Sequence, residues 1–347
     1  MAAYISFQPS DFFSTKLYTG TGSSNAITGV GFQPDFTWIK NRDAADNHIL
    51  TDAATGATKY MSSNITTALT TNAESLKSFD SDGFTVGTYG DVNTNTENYA
   101  SWNWKAGTTS GLSGGTITPT AYSFNTTSGI SIIQYDGNST SGATLAHGLG
   151  AAPTMVWVKS LDSGDDWAVG HSAMGWTKYL KFNSTGGVST YTGIWNDTAP
   201  SSTLVTIGNN SIVNTQTTRG YIMYAFAEKK GYSKFGSYEG NQNTDGPFVY
   251  TGFRPAYLMI RQQNPSGGES WFISDDKRQG FNPMNDHFYA DDAAIGNTTG
   301  SFVDLLSNGF KLRTVSSSWN SSTNPMLYWA FAEFPLVSSN SKAGVAR

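Results

Sequence analysis

The chain has 347 residues and a net charge of −5; hydrophobic residues make up 38% of it, charged residues only 14% and aromatic residues 14%, and it has no cysteine. These values exclude a disulfide framework and a cysteine metal site, and the Trp, Tyr and Phe content excludes a disordered chain. The acidic balance, with no basic cluster beyond Lys229-Lys230, argues against nucleic-acid binding, and no apolar run reaches the ~20 residues that cross a bilayer as a helix.

Ser, Thr, Asn and Gly fill the places that charge leaves empty. Ser, Thr and Asn compete with helix backbone and Gly costs entropy there, so the composition favours strands joined by tight turns. Residues 1–12 read as a short arm, with Phe7, Phe12 and Phe13 as apolar contacts around a Pro9-Ser10-Asp11 turn. Those three residues are the candidates for an anchor that docks on a partner; the alternative is an edge segment tucked onto the first domain. The start of the chain has no basic region followed by an apolar core, so no signal peptide is expected.

Residues 13–107 form a first unit. Lys16–Gly20 and Ala26–Val30 read as strands, followed by Gly31-Phe32-Gln33-Pro34-Asp35-Phe36-Thr37-Trp38-Ile39-Lys40, a turn leading into a strand. Asn47–Asp52 and Thr58–Met61 alternate, Ser78–Val86 reads as a hairpin about an Asp-Gly turn, and Tyr99–Trp104 closes the unit. Residues 108–128 are Gly-, Ser- and Thr-rich and read as a linker. The order then returns in a second unit, 129–232: Tyr135-Asp136-Gly137, Gly148 to Lys159 with Pro153 and Trp157, Asp166–His171, and Tyr221–Phe226. A third unit, 233–337, has Tyr238-Glu239-Gly240 and Gly252 to Arg261, with Met259 in the Trp place and Arg261 in the Lys place. It continues with Glu269–Asp275, Leu306–Leu312 and Leu327–Phe331, and residues 338–347 form a polar tail. The expected fold is all-β: three tandem β-sandwich, jelly-roll-like domains built from one repeated unit. Trp38, Trp104, Trp157, Phe226 and Phe331 occupy corresponding slots and are expected in cores.

No catalytic motif is present. The four histidines, His48, His147, His171 and His287, lie in separate contexts, so no metal site is expected and no cofactor is called for. Acidic pairs at Asp165-Asp166, Asp275-Asp276 and Asp291-Asp292 do not recur between units, which argues against glycoside hydrolysis. The oxygen-rich stretches Asp80–Gly83 and Asn241–Gly246 lack a complete calcium loop and read equally well as Asx turns. Loop aromatics beside amides are candidates for sugar contact, because a flat ring stacks on a pyranose and amides read its hydroxyls. These are Tyr191, Trp195, Asn196, Trp319 and Asn320.

Several signatures together carry a resemblance: Tyr18-Thr-Gly20 with Gly29–Arg42, the Ser-Asp-Gly-Phe hairpin at 81–84, Trp-Asn-Trp-Lys-Ala-Gly at 102–107, and Gly-Pro-Phe-Val-Tyr-Thr-Gly-Phe-Arg-Pro at 246–255. They resemble a repeated β-domain found in virion proteins of marine tailed bacteriophages. The resemblance covers nearly the whole chain and is weakest in unit two, where Leu149 and Ala151 flank the turn. It implies a non-enzymatic virion structural protein, exposed on the particle as a head decoration or fibre or as a tail fibre, and contacting the host surface. The implied partners are phage capsid or tail proteins, a second copy of the chain (a trimer by analogy) and a host surface glycan. Assembly in the host cytoplasm and release by lysis accord with the absent signal peptide. The alternative reading is a glycan-binding, lectin-like module.

Overall fold

The computed structural model describes residues 7–334; residues 1–6 of the expected arm and the tail 338–347 lie outside the described residues. The fold is all-β. Its logic is visible in the strand Phe36–Asn41. Phe36, Trp38 and Lys40 alternate with Thr37, Ile39 and Asn41, yet all six residues are buried. Alternating side chains point to opposite faces, so this strand needs cover on both sides.

Each unit supplies one large sheet. In unit one the spatial order is Phe13–Thr19, Asn98–Trp104, Phe36–Asn41, Ile49–Asp52. In unit three it is Ser233–Tyr238, Met326–Phe331, Tyr257–Gln262, Phe272–Asp275, Phe288–Tyr289, and in unit two the same succession runs from Ile130–Asp136 through Gly220–Phe226, Met155–Ser160, Ala168–His171 and Lys178–Lys181. Registers correspond as well: Trp38 lies opposite Trp102, Trp157 opposite Tyr224, and Met259 opposite Trp329. One face of each large sheet packs on smaller strands. In unit one Ile39, Ile49 and Tyr99 meet Ile27, Leu76, Phe84 and Val86; units two and three have corresponding cores.

The other faces of the three large sheets meet each other. Their aromatic side chains form one continuous core that includes Phe13, Trp38, Trp104, Trp157, Phe226, Trp329 and Phe331. The contacts close a ring: Trp38 of unit one lies 6.2 Å from Trp157 of unit two, Trp157 lies 4.7 Å from Trp329 of unit three, and Trp329 stacks at 5.5 Å on Trp104 of unit one. The three units are therefore not beads on a string. A bead would expose a row of Trp and Phe rings; association of three such faces removes them from water.

Two expectations need correction. The segment 108–128 is not a free linker, because Ala121–Asn125 is a strand paired along Ile130–Asp136. Ser123 on it donates to Asp35 at 2.8 Å and accepts from Gly107 N–H, tying the segment to unit one. The alternation Tyr122-Ser123-Phe124 carried this signal beneath a Gly/Ser/Thr composition. The arm does not hold free anchor residues either. Phe13 is fully buried and stacks on Phe331 at 5.6 Å, while Phe7 and Phe12 are half-buried against Tyr232. Phe7, Phe12 and Phe13 dock on the protein's own core.

Candidate functional site

The repeated sequence signatures prove to be clasps. The tyrosine of each Tyr-x-Gly donates to one backbone carbonyl of its unit's closing helical turn: Tyr18 to Val92, Tyr135 to Val213 and Tyr238 to Trp319, at 2.7, 2.6 and 2.6 Å. The glycine is required because that turn passes close by; a Cβ on Gly20 would lie 2.1 Å from the Thr94 carbonyl oxygen. The next residue in each turn is a buried asparagine, Asn93, Asn214 or Asn320, whose amide bonds the loop that follows Tyr-x-Gly. Asn214, for example, donates to Asn138 Oδ1 and to the Thr140 and Gly208 carbonyls while accepting from Asn138 N–H. Buried amides satisfied in this way hold a loop without backbone pairing.

Other polar groups join unit to unit. His48, Trp167 and Trp271 occupy one register position, each just before the strand residue that faces Ile39, Val158 or Ile260. Each meets a carbonyl of a neighbouring unit: His48 Nε2 meets Tyr289 at 3.0 Å, Trp167 Nε1 donates to Ser62 at 2.9 Å, and Trp271 Nε1 donates to Lys181 at 2.9 Å. His48 Nδ1 accepts from Trp38 Nε1, so Nε2 carries the proton, and burial holds the ring neutral, well below the ordinary histidine range. Asp52 accepts the Tyr224 hydroxyl at 2.7 Å, and Asp275 accepts Trp102 Nε1 at 3.1 Å while pairing with buried Arg278.

The repeated basic residues are also internal. Lys40, Lys159 and Arg261 are buried at corresponding positions. Lys159 Nζ donates to the carbonyls of Thr66, Ser163 and Asp165, and Arg261 donates to Gly186 of unit two at 2.7 Å. Lys40 donates to the Asn41 and Ala44 carbonyls and lies over the Phe288 ring of unit three. Burial pushes both lysines down to about 8; nearby carboxylates, Asp46 for Lys40 and Asp165 for Lys159, offset it in part.

The candidate sugar-contact residues do not form one site. Trp195 is fully buried at 5.6 Å from Trp176 in the outer core of unit two, and Trp319 is buried between Phe272 and Phe302 in unit three. Asn320 is consumed by its clasp, and Asn196 ends a helical turn with positive φ and accepts from Ser141. Of the five, Tyr191 alone presents a ring to solvent, at 48% exposure. Loop position misled here, because these short helical turns fold inward over each unit's outer core. The four histidines are all buried and far from any cluster: among the described residues no group of three or more His, Cys, Asp or Glu side chains could hold a metal ion. The two oxygen-rich stretches are turns; Asp82 accepts from Gly29 and Gly31 N–H, and Asn241 and Asn243 bond their own downstream backbone.

A family model described as a domain of unknown function (DUF7483) matches residues 8–335. The chain belongs to this DUF7483 family. The match runs through all three units, as does the shared core. No curated protein and no solved structure matches the chain.

Among the described residues of the DUF7483 chain, the exposed large apolar side chains are concentrated on unit three. Phe248 and Tyr250, on the strand Phe248–Tyr250, are 45% and 56% exposed, and Phe281 is 67% exposed. Beside the strand lies a groove of about 640 Å³ whose lining includes Asp245, Asn282, Asp304 and Arg313. A second cleft of about 340 Å³ lies against Phe272, His287, Tyr289 and Trp319, but Trp319 and His287 are themselves buried, and burial lowers His287 to about 4, leaving it neutral at pH 7. Phe248 and Tyr250 do not stand out in the sequence, because the run 246–255 reads whole as a scaffold signature. The available signal was Phe248-Val249-Tyr250, apolar on both faces of a strand that needs only one buried.

Proposed function

We propose that this protein is a non-enzymatic structural component of a bacteriophage virion, displayed on the particle surface as a head decoration or fibre or as a tail fibre, and touching the host cell. The observation that carries the reading is the single aromatic core: three sheets lock into one rigid body, while the outward loops and sheet faces differ between units. Such a body suits display, because its stability does not depend on the surfaces it presents. Of the acidic pairs, Asp165 is held by Arg219, Asp166 by Lys181, Asp275 by Arg278 and Asp276 by Arg254. Its partners would be capsid or tail proteins, with self-association into a trimer by analogy with other symmetric appendages.

Cryo-electron microscopy of purified particles, with copy number from mass spectrometry, tests this. Hundreds of copies on the capsid lattice would identify a decoration, and a few copies at the tail a host-contact element. Absence from particles would overturn the proposal. A lectin-like role is the second reading, favoured by the exposed ring pair Phe248 and Tyr250.

A further inference from the structure

We infer that the outward face of the smaller sheet in unit three binds a neutral oligosaccharide, with Phe248 and Tyr250 as the stacking surface and the adjoining groove as the reader of hydroxyl groups. The inference rests on the surface-contact part of the function proposed above.

The first observation is a departure from the repeat. The strand Phe248–Tyr250 pairs so that Tyr250 faces Gly309, Val249 faces Phe310 and Phe248 faces Lys311. The corresponding pairs in unit one are Thr28 with Gly83, Ile27 with Phe84 and Ala26 with Thr85; in unit two they are Ala146 with Leu204, Leu145 with Val205 and Thr144 with Thr206. The inward member is apolar in all three, as packing requires. The two flanking members are the exposed Ala26 and Thr28 in unit one and the half-buried Thr144 and buried Ala146 in unit two; Phe and Tyr stand there only in unit three. Units one and two show that the fold does not need rings here, and rings left half in water contribute little to folding.

The second observation is how the rings lie. Gly309 is needed because the Val249 carbonyl would sit 2.1 Å from its Cβ, and the bare backbone leaves room for Phe248: its ring atoms would be 2.9 Å from that same Cβ. Two edge atoms of the ring, Cε2 and Cζ, therefore reach over the bare backbone of Gly309, and the ring stays 45% exposed. A flat apolar face of this kind matches the C–H face of a pyranose and gains contact without ordering a long side chain.

The third observation is charge. Directly opposite residues across antiparallel strands share a face, so Phe248, Lys311 and Asp304 form one row. Lys311 is held by Asp245 at 2.8 Å and by the Gly246 carbonyl at 2.7 Å, and Arg313 Nε by Asp304 at 2.5 Å. Asn282 is fixed from both ends of its amide by Leu305. Arg313 offsets Asp304 within the groove, and Lys311, outside its lining, offsets Asp245, so this face has no surplus charge to attract a phosphate, a sulfate or a polyamine. Its ions also make it a poor host for a purely apolar ligand, which could not replace their hydration. A ligand with one apolar face and many hydroxyls satisfies both constraints, and the groove volume lies within the range of ligand sites.

The test is calorimetric titration of the full-length protein with maltohexaose, cellohexaose, laminarihexaose and N-acetylchitohexaose, and with a heparin hexasaccharide as the charged comparator. The expected result is binding of at least one neutral hexasaccharide at millimolar or lower concentration, weakened at least tenfold in a Phe248→Ala, Tyr250→Ala double variant whose melting temperature is unchanged. Tyr191→Ala, on unit two, should bind as the wild type does. Binding by none of the four neutral sugars, binding indifferent to the double variant, loss on Tyr191→Ala instead, or preference for the heparin fragment would each overturn the inference. Failure here leaves particle localisation untouched, and absence from particles leaves this titration untouched, so the two readings fail separately.

Discussion

Replacing Trp104 with alanine distinguishes one shared core from three separate ones. Trp104 is fully buried; it packs on Phe13 and Phe36 of its own unit and on Tyr257, Trp329 and Phe331 of unit three, all within 5.7 Å. Truncating a buried Trp costs about 3–5 kcal/mol in transfer and cavity terms. If the 347 residues unfold together, an unfolding entropy of roughly 2.1 cal/mol/K per residue gives ~0.7 kcal/mol/K, and a loss of ~4 kcal/mol lowers Tm by about 6 °C. If unit one unfolded alone, its roughly 95 residues would give ~0.2 kcal/mol/K and a shift near 20 °C in one transition of three. Differential scanning calorimetry of wild type and variant reads the difference directly. A single endotherm moving by several degrees is the expected outcome. Two transitions left in place while a third drops by about 20 °C would refute the shared core as the unit of cooperativity.

Two further outcomes follow from the buried polar groups. Lys40 and Lys159, lowered to about 8 by burial, lose protons in the folded protein between about pH 8 and 10.4 while the unfolded chain keeps them, so stability should rise across that window by on the order of 3 kcal/mol for each lysine. Above pH 10 the buried Tyr135, Tyr224 and Tyr232, whose hydroxyls burial raises, keep protons that the unfolded chain releases, and stability should fall; urea unfolding from pH 7 to 11 should therefore peak near pH 10, and Lys159→Met should flatten the rise by about half. Asn214→Ala should cost about 2–4 kcal/mol, since it leaves buried loop groups unpaired, whereas Tyr191→Ala should stay within about 0.5 kcal/mol; chemical denaturation reads both, and a neutral Asn214→Ala would refute the clasp.

The local features of this protein are legible in its residues alone. Pro34, Pro153 and Pro255 with their flanking glycines mark the same turn three times, and the alternation after each marks a strand, because turn chemistry and the two-residue period are properties of neighbouring residues. Tyr-x-Gly recurs visibly for the same reason, although its purpose does not, since the carbonyl that Tyr135 seeks lies 78 residues further along the chain. Where each apolar face goes is set by the packing of the sheets. Trp38, Trp157 and Phe331 read as cores of three separate domains, because side-chain period fixes the face and not its neighbour. Trp195 and Trp319 read as exposed loop rings until helical turns fold them inward, and Phe248 and Tyr250 read as scaffold until their strand leaves them in water. Burial on both sides of a sheet depends on which other sheet arrives, and that is set by contacts between residues a hundred or more positions apart.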